Sequence, residues 1–158
     1  MAVGAAWQAT RSRSTVYQTA VGQQQQIRLA DGSTVDLAPD SRLEVGNGYG
    51  RTTRAVTLAG RGLFEVRHDA GRPFRVTAGG ATIEDLGTAF EVAARGSAPV
   101  HVVVITGSVA VRSGGTVPAV TLQARDVATV RTNTPPVVSR AVSVEDLTSW
   151  RRGTLVFD

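Results

Sequence analysis

The sequence predicts an all-β protein, a jelly-roll-like β-sandwich of about ten short strands with one short C-terminal helix. Short runs of Val, Leu, Ile and Phe alternate with polar residues, which is the pattern of half-buried strands. Glycine interrupts these runs roughly every ten residues, as tight connections between strands require. Hydrophobic residues make up 42% of the chain but aromatic residues only 5%, so we expect an aliphatic, β-branched core.

The length of 158 residues suits one domain that forms its core without disulfides, and the chain contains no cysteine. We expect residues 1–13 to be a membrane-proximal or disordered N-terminal segment, and residues 14–134 to be the β-domain. Residues 135–158 are expected to form a linker, a short helix and the start of a truncated C-terminal module. The N-terminal segment is shorter than the 17–25 residues that a membrane span takes. It is either a loose terminus or the trailing end of a membrane helix.

The charge pattern argues against a nucleic-acid partner. The formal net charge is +4, and all 17 basic residues are arginines, scattered along the chain and single except for Arg151-Arg152. A nucleic-acid surface instead concentrates basic side chains on one element, close to aromatic residues or a recognition helix.

Residues 27–37 predict a β-hairpin in which Asp31-Gly32 supplies the positive φ angles of a two-residue primed turn. Residues 46–50, rich in glycine, predict a flexible loop. This loop does not match a phosphate cradle, because strand-like residues follow it where a helix N-terminus is needed.

The central stretch, residues 56–92, predicts successive strands. Arg72-Pro73 gives a rigid entry to one of them, because proline fixes its own φ and holds the preceding residue extended. In the strand that follows Leu86-Gly87-Thr88, Phe90 lies on one face and Glu91 on the other. Residues 100–112 and 120–131 repeat the strand, glycine or turn, strand arrangement.

The C-terminal part predicts a linker at residues 132–136 and a helix over residues 143–152. Ser143 can cap this helix and Gly153 can end it. Leu147 and Trp150 fall on one side of the helix because they are three residues apart. Residues 154–157 then resemble the beginning of a further strand.

Candidate catalytic residues are few. His68 and His101 lie far apart in the sequence and match no metal-ligand spacing. Glu84 and Asp85 are adjacent and so fall on opposite strand faces, which does not suit a general acid and base; with Glu91 they are expected to line a solvated edge. Ser33 and Ser108 each follow a glycine in a predicted turn, and the sequence has no nucleophile-elbow motif. We therefore expect no enzyme activity, cofactor or metal.

An ordered series of motifs resembles the periplasmic domain of the FecR family. The motifs are Asp31-Gly32-Ser33-x-Val35-x-Leu37, Arg54-x-Val56-x-Leu58-x-Gly60, Arg72-Pro73-Phe74-x-Val76, Leu86-Gly87-Thr88-x-Phe90-x-Val92 and Val102-x-Val104-x-x-Gly107-x-Val109. A last motif, Trp150-x-x-Gly153-x-Leu155-x-Phe157, resembles the family's exit from that domain into a small secretin/TonB-type module.

The resemblance implies the periplasmic domain of a single-pass inner-membrane protein that regulates an extracytoplasmic-function sigma factor. Its partner would be the signalling domain of an outer-membrane TonB-dependent siderophore receptor. The sigma factor would be contacted only through a cytoplasmic segment that this sequence does not include. We expect Gly32 and Gly87 to provide backbone freedom, Phe74 and Phe90 to pack the core, and Trp150, Leu155 and Phe157 to form the partner interface.

Two other functions remain open. One is a jelly roll that binds a carbohydrate or another small ligand, although the chain offers few aromatic platforms. The other is a structural module of the cell envelope that uses the same domain outside iron signalling.

Overall fold

The computed structural model describes residues 14–51, 53–85 and 87–140, which form strands and no helix. There are thirteen strands in this part of the chain rather than the predicted ten or so, and all are short except β5. They are β1 (Thr15–Gln18), β2 (Gln25–Arg28), β3 (Thr34–Leu37), β4 (Arg42–Val45), β5 (Arg54–Glu65), β6 (Phe74–Ala78), β7 (Ala81–Asp85), β8 (Ala89–Ala94), β9 (Val100–Thr106), β10 (Ser108–Arg112), β11 (Val120–Gln123), β12 (Asp126–Val130) and β13 (Val137–Arg140).

The strands form two sheets that share β5. The first sheet has the order β1-β4-β5-β6-β7-β10-β11, and the second has the order β2-β3-β5-β8-β9-β12-β13. All neighbours are antiparallel except β5 and β6, which are parallel. The predicted all-β class is therefore confirmed, while the jelly-roll-like connectivity stays a prediction.

Strand β5 changes partners at its middle. Residues 54–59 face β4 and β6 in the first sheet, and residues 60–65 face β3 and β8 in the second. The change occurs at Gly60, whose φ of +111° is one that side-chain-bearing residues rarely adopt. A Cβ on Gly60 would also lie 2.3 Å from the Oγ atom of Ser41. Both the positive φ and the lack of space for a Cβ therefore require glycine at position 60.

The core lies between the inward faces of the two sheets and centres on three phenylalanines. Phe64, Phe74 and Phe90 come from β5, β6 and β8, and all three are fully buried. The ring centroid of Phe64 is 5.2 Å from that of Phe90 and 5.8 Å from that of Phe74. Burying each such side chain stabilises the fold by about 1.5–3 kcal/mol.

The hairpin predicted at residues 27–37 is present as β2 and β3, but its turn differs from the prediction. Gly32 has a φ of +93°, whereas Asp31 does not have a positive φ. The Gly32 N–H donates to the Leu29 carbonyl at 3.0 Å, and the Leu29 N–H donates to the Ser33 carbonyl at 2.8 Å. The connection is therefore a three-residue loop with a glycine bulge, and the two-residue primed turn was wrong.

Strand β13 lies beyond Pro135-Pro136 and pairs with β12, so the second sheet continues past residue 134, the predicted end of the β-domain. Several predictions fall outside the described residues: the segment 1–13, Leu86, the helix over 143–152, and the interface residues Trp150, Leu155 and Phe157. Within the described residues, the structure contains no helix with the length and apolar character needed to cross a membrane.

Candidate functional site

A buried arginine joins several loops at one end of the two sheets. Arg54 is the first residue of β5 and is only 1% exposed. Its Nε atom donates to the Arg72 carbonyl at 2.5 Å, and its Nη1 atom donates to the Arg67 carbonyl at 2.7 Å. Its Nη2 atom donates to the Asp69 carbonyl at 3.4 Å. One guanidinium therefore holds three carbonyls of the segment between β5 and β6.

The charge of Arg54 is balanced by Asp31 of the β2–β3 loop. Arg54 Nη1 lies 3.0 Å from Asp31 Oδ2. The guanidinium carbon also lies 5.9 Å from the centre of the Phe74 ring, which is within the range of a cation–π contact. A buried charge is tolerated only when it is paired and hydrogen-bonded, and Arg54 meets both conditions.

Asp31 accepts further hydrogen bonds besides those from Arg54. The Ser33 N–H donates at 3.1 Å, the Ser33 hydroxyl at 3.0 Å and the Tyr49 hydroxyl at 3.1 Å. Burial raises the pKa of Asp31, but the hydrogen bonds from Arg54, Ser33 and Tyr49 outweigh this effect, so the pKa lies below its ordinary value. Burial and then the charge of Asp31 raise the pKa of Tyr49. Asp31 is therefore an anion and Tyr49 a neutral donor at physiological pH.

Arg72 connects the β5–β6 segment, to which it belongs, with the loop that precedes β5. It forms an ion pair with Asp69 at 2.7 Å and donates to the carbonyls of Gly50 and Arg51. The hydrogen bond from Arg72 is the main cause of a pKa of Asp69 below its ordinary value. The loop 46–50, expected to be flexible, is thus tied to residues 69–72, and Tyr49 within it is buried.

A second tightly packed turn lies beside this network. Asp85, at the end of β7, is buried; it accepts a hydrogen bond from the Gly87 N–H at 3.1 Å and a short one from the Thr88 hydroxyl. A Cβ on Gly87 would lie 2.6 Å from the Cα atom of His68. Gly87 therefore serves close approach of two chain segments rather than an unusual φ. A Cβ on Gly107 would similarly meet Thr88 at 2.1 Å.

A surface cleft of about 500 Å³ opens over this turn. Its lining includes His68, Pro73, Asp85, Thr88 and Ala110, so it joins loop residues to the outer face of the first sheet. Among the described residues, no group of three or more His, Asp or Glu side chains is arranged to hold a metal ion.

The structure brings together most of the sequence-predicted motif residues. Asp31, Ser33 and Arg72 take part in the Arg54 network, Phe74 lies under it, and Gly87 and Thr88 lie in the adjoining turn. The sequence named Arg54 only within a motif of the family resemblance and Tyr49 only within the loop 46–50, and it predicted neither as a site residue. The alternation of side chains along β5 indicates that Arg54 points inward, because it lies on the same face as Val56 and Leu58.

The acidic residues expected along a solvated edge lie in three different environments. Glu84 is half-exposed and forms an ion pair with Arg75 at 2.5 Å. Asp85 is buried in the turn described above, and Glu91 is buried beside Arg61, with which it forms an ion pair. The expectation of a solvated edge was therefore wrong for Asp85 and Glu91. His101 lies on the outer face of β9 and is exposed, as predicted.

Comparisons with known proteins agree with this architecture. A family model described as "FecR protein" matches residues 15–110, which is more than half of the chain. Two crystal structures of a "putative anti-sigma factor" from Parabacteroides distasonis, at 2.50 Å and 1.65 Å resolution, are similar at 26% sequence identity. The TM-scores are 0.78 and 0.77; the matches cover 87% and 86% of this chain but 64% of those chains, which is less than two thirds. No match was found among curated proteins. The chain belongs to the FecR family.

Proposed function

We propose that the chain is the periplasmic signal-relay domain of a FecR-like regulator of a sigma factor. In this role it passes a signal from an outer-membrane TonB-dependent siderophore receptor towards a cytoplasmic sigma factor across the inner membrane. The observation that carries the proposal is the FecR family match over residues 15–110, supported by the shared fold with an anti-sigma factor. The receptor, the siderophore signal and the periplasmic location are parts of the proposal.

The internal site supports a scaffold role. The charged groups of the Arg54 network bind each other and the loop carbonyls. The three core phenylalanines are buried. Such a network fixes the loops at one end of the sheets and needs no substrate to satisfy it. The domain would therefore act as a rigid spacer that presents an interaction surface.

We place that surface in the C-terminal segment, at Trp150, Leu155 and Phe157, as the sequence predicts. The segment follows β13, an exposed strand at the edge of the second sheet. Large apolar side chains on an accessible segment are typical anchors for a protein partner.

The test is an association measurement with the purified signalling domain of a TonB-dependent siderophore receptor from the same organism. We expect the full chain to bind, and a variant that ends at Arg140 to keep its β-sheet circular dichroism but to lose binding. Binding retained by the shortened variant would refute the interface. Absence of binding by the full chain would refute the receptor as partner.

A substitution series adds a matched control. Replacement of Trp150, Leu155 and Phe157 together by alanine should abolish binding. Replacement of Val137 and Val138, which are also apolar and exposed, should leave binding unchanged. Equal losses of binding in the two variants would show that the association is nonspecific and hydrophobic and does not depend on the surface formed by Trp150, Leu155 and Phe157.

The cleft of about 500 Å³ beside Thr88 supports a second candidate function, the binding of a small ligand. A carbohydrate or siderophore that raised the melting temperature of the chain, and failed to do so after Ala110→Trp filled the cleft, would favour this candidate.

A further inference from the structure

The outer face of the second sheet is buried where the alternation of side chains predicts exposure. Phe64 on β5 and Val102 and Val104 on β9 point inward, so their neighbours Leu63 and Val103 point outward. Even so, Leu63 is 1% exposed and Val103 is 6% exposed. An apolar residue on the open face of a sheet keeps part of its side chain in contact with water. This face is therefore covered by another part of the protein.

The first sheet provides the comparison. Its outward residues Thr57, Arg75 and Thr77 occupy central strands β5 and β6, and all three are exposed. Central position in a sheet is thus not sufficient to bury an outward side chain in this molecule. The burial of Leu63 and Val103 is specific to the second sheet.

The buried residues Leu63, Glu91 and Val103 lie in one row across the second sheet, which continues to the half-buried Val127 and the exposed Ser139. The pairing register places Leu63 opposite Glu91, Glu91 opposite Val103, Val103 opposite Val127, and Val127 opposite Ser139. Ser139 is on β13, which ends one residue later at Arg140. The chain therefore leaves the last strand at one end of this row.

We propose that the segment 143–152, predicted from the sequence to be helical, docks across this row. Val144, Leu147 and Trp150 recur every three residues and form one apolar side of the helix. Three residues of helix rise about 4.5 Å, which is close to the spacing of about 4.8 Å between neighbouring strands. Starting from β13, this register sets Val144 above Val127, Leu147 above Val103, and Trp150 above Glu91 and Leu63.

Chain length and charge agree with this placement. Three residues lie between Arg140 and Val144, and the four steps from one Cα atom to the other extend to about 13 Å, which is enough to pass from β13 onto the face above β12. The helix would end with Arg151 and Arg152 near β8, β5 and β3. These strands carry the carboxylates of Glu91, Glu65 and Asp36 on the same outer face. Arginines at a helix C-terminus also stabilise the helix itself.

Docking would give the C-terminal segment two alternative states. While Trp150 covers the sheet, only Leu155 and Phe157 of the proposed interface are presented to a partner. A partner that takes Trp150 must displace the helix from the sheet. The docking itself involves no partner, so it can be tested separately from the receptor proposal.

The absence of cysteine from the chain allows a direct test by disulfide cross-linking. In the full chain, the pair Val103→Cys and Leu147→Cys should close an intramolecular disulfide on mild oxidation, because a disulfide needs Cα atoms within about 7 Å. The control pair is Thr77→Cys and Leu147→Cys, which places the first cysteine on the outer face of the first sheet. We expect the first pair to close to an extent at least about tenfold greater than the control.

The other outcomes each overturn the proposal. Equal closure of the two pairs, or closure of neither, would show that the segment does not dock on this face. A disulfide-linked dimer would assign the cover to a second copy of the chain. Closure of a pair made by Ala5→Cys and Val103→Cys, in place of the Leu147 pair, would assign it to the N-terminal segment.

A fluorescence measurement keeps the test independent of cysteine chemistry. In a Trp7→Phe variant Trp150 is the one remaining tryptophan, and its emission should be blue-shifted and protected from iodide quenching. Adding Leu63→Ser should shift the emission to the red and raise quenching, while adding Thr77→Ser should change neither. Red-shifted, freely quenched emission before the second substitution would contradict docking.

Discussion

The guanidinium of Arg54 lies 3.0 Å from the carboxylate of Asp31, and the arginine side chain is completely enclosed by the protein. This pair joins the start of β5 to the β2–β3 loop. Because Arg54 also holds three carbonyls of the segment that leads to β6, one side chain organises several loops. The stability of this end of the molecule therefore depends on a single buried charge.

We expect Arg54→Met to lower the free energy of unfolding by about 3–5 kcal/mol, because it leaves Asp31 without its positive partner and the loop carbonyls without their donor. The matched control is Arg75→Met, which removes an arginine from the exposed pair with Glu84 and should cost about 0–1 kcal/mol. Urea unfolding followed by circular dichroism measures both. Similar losses in the two variants would contradict the role of Arg54.

Acid should destabilise the domain through Asp31. Its pKa in the folded state lies below the ordinary value of 3.8, so the folded state binds this proton less readily than the unfolded state. The stability that results is fully present above pH 4 or so and is lost as the pH falls through the lower, folded-state pKa. We expect Asp31→Asn to reduce the dependence of the urea midpoint on pH between about 2 and 5.

The control for the acid effect is Asp69→Asn. Asp69 also has a lowered pKa, but its pair with Arg72 is solvent-exposed, so solvent screens the interaction. The slope of the urea midpoint against pH should change less in Asp69→Asn than in Asp31→Asn. A larger change in Asp69→Asn would show that the exposed pair dominates.

Gly60→Ala should be strongly destabilising, with a loss of more than about 2 kcal/mol, because the new methyl group meets Ser41 and a positive φ is forced on alanine. Gly22→Ala is the control, since Gly22 also has a positive φ, of +81°, but has open space where the Cβ would stand. The difference in thermal unfolding between the two variants isolates the crowding at the bend of β5. No difference would show that φ alone sets the requirement.

Thr88→Val should cost about 1–3 kcal/mol, because it removes the hydroxyl that donates to the buried carboxylate of Asp85 while keeping the shape of the side chain. Thr88→Ser keeps the donor and should recover most of the loss. The control Thr129→Val changes a threonine on the outer face of β12 and should be nearly neutral. Chemical unfolding of the three variants provides the measurement, and a neutral Thr88→Val would rule out this contribution.

The parts of the fold that depend on local pattern could be read from the sequence. Alternation placed Phe90 inward and Glu91 outward, and Asp31-Gly32 marked a hairpin, as the structure shows. The turn type was wrong because it depends on which residue takes the positive φ, and Asp-Gly fits both a primed turn and a glycine bulge.

The parts that depend on contacts between distant segments could not be read in this way. The alternation in β5 indicates an inward position for Arg54, but its partners could not be predicted because they lie on loops that only the fold brings near. The burial of Glu91 likewise depends on what covers the outer face of the second sheet. The full length of β5 could not be predicted from the sequence, because Gly60 in its middle is typical of the end of a strand. The strand continues there because its two halves join different sheets.

The passage of β5 through both sheets has a mechanical consequence. Two sheets held only by side-chain packing can shear over one another, whereas here the covalent backbone of one strand resists such sliding. A force applied at the edge strand β13 travels along the hydrogen-bonded ladder to β5 and from there into the opposite sheet. The domain would thus move as one stiff body when it is pulled, and displacement at one end would reach the other with little loss.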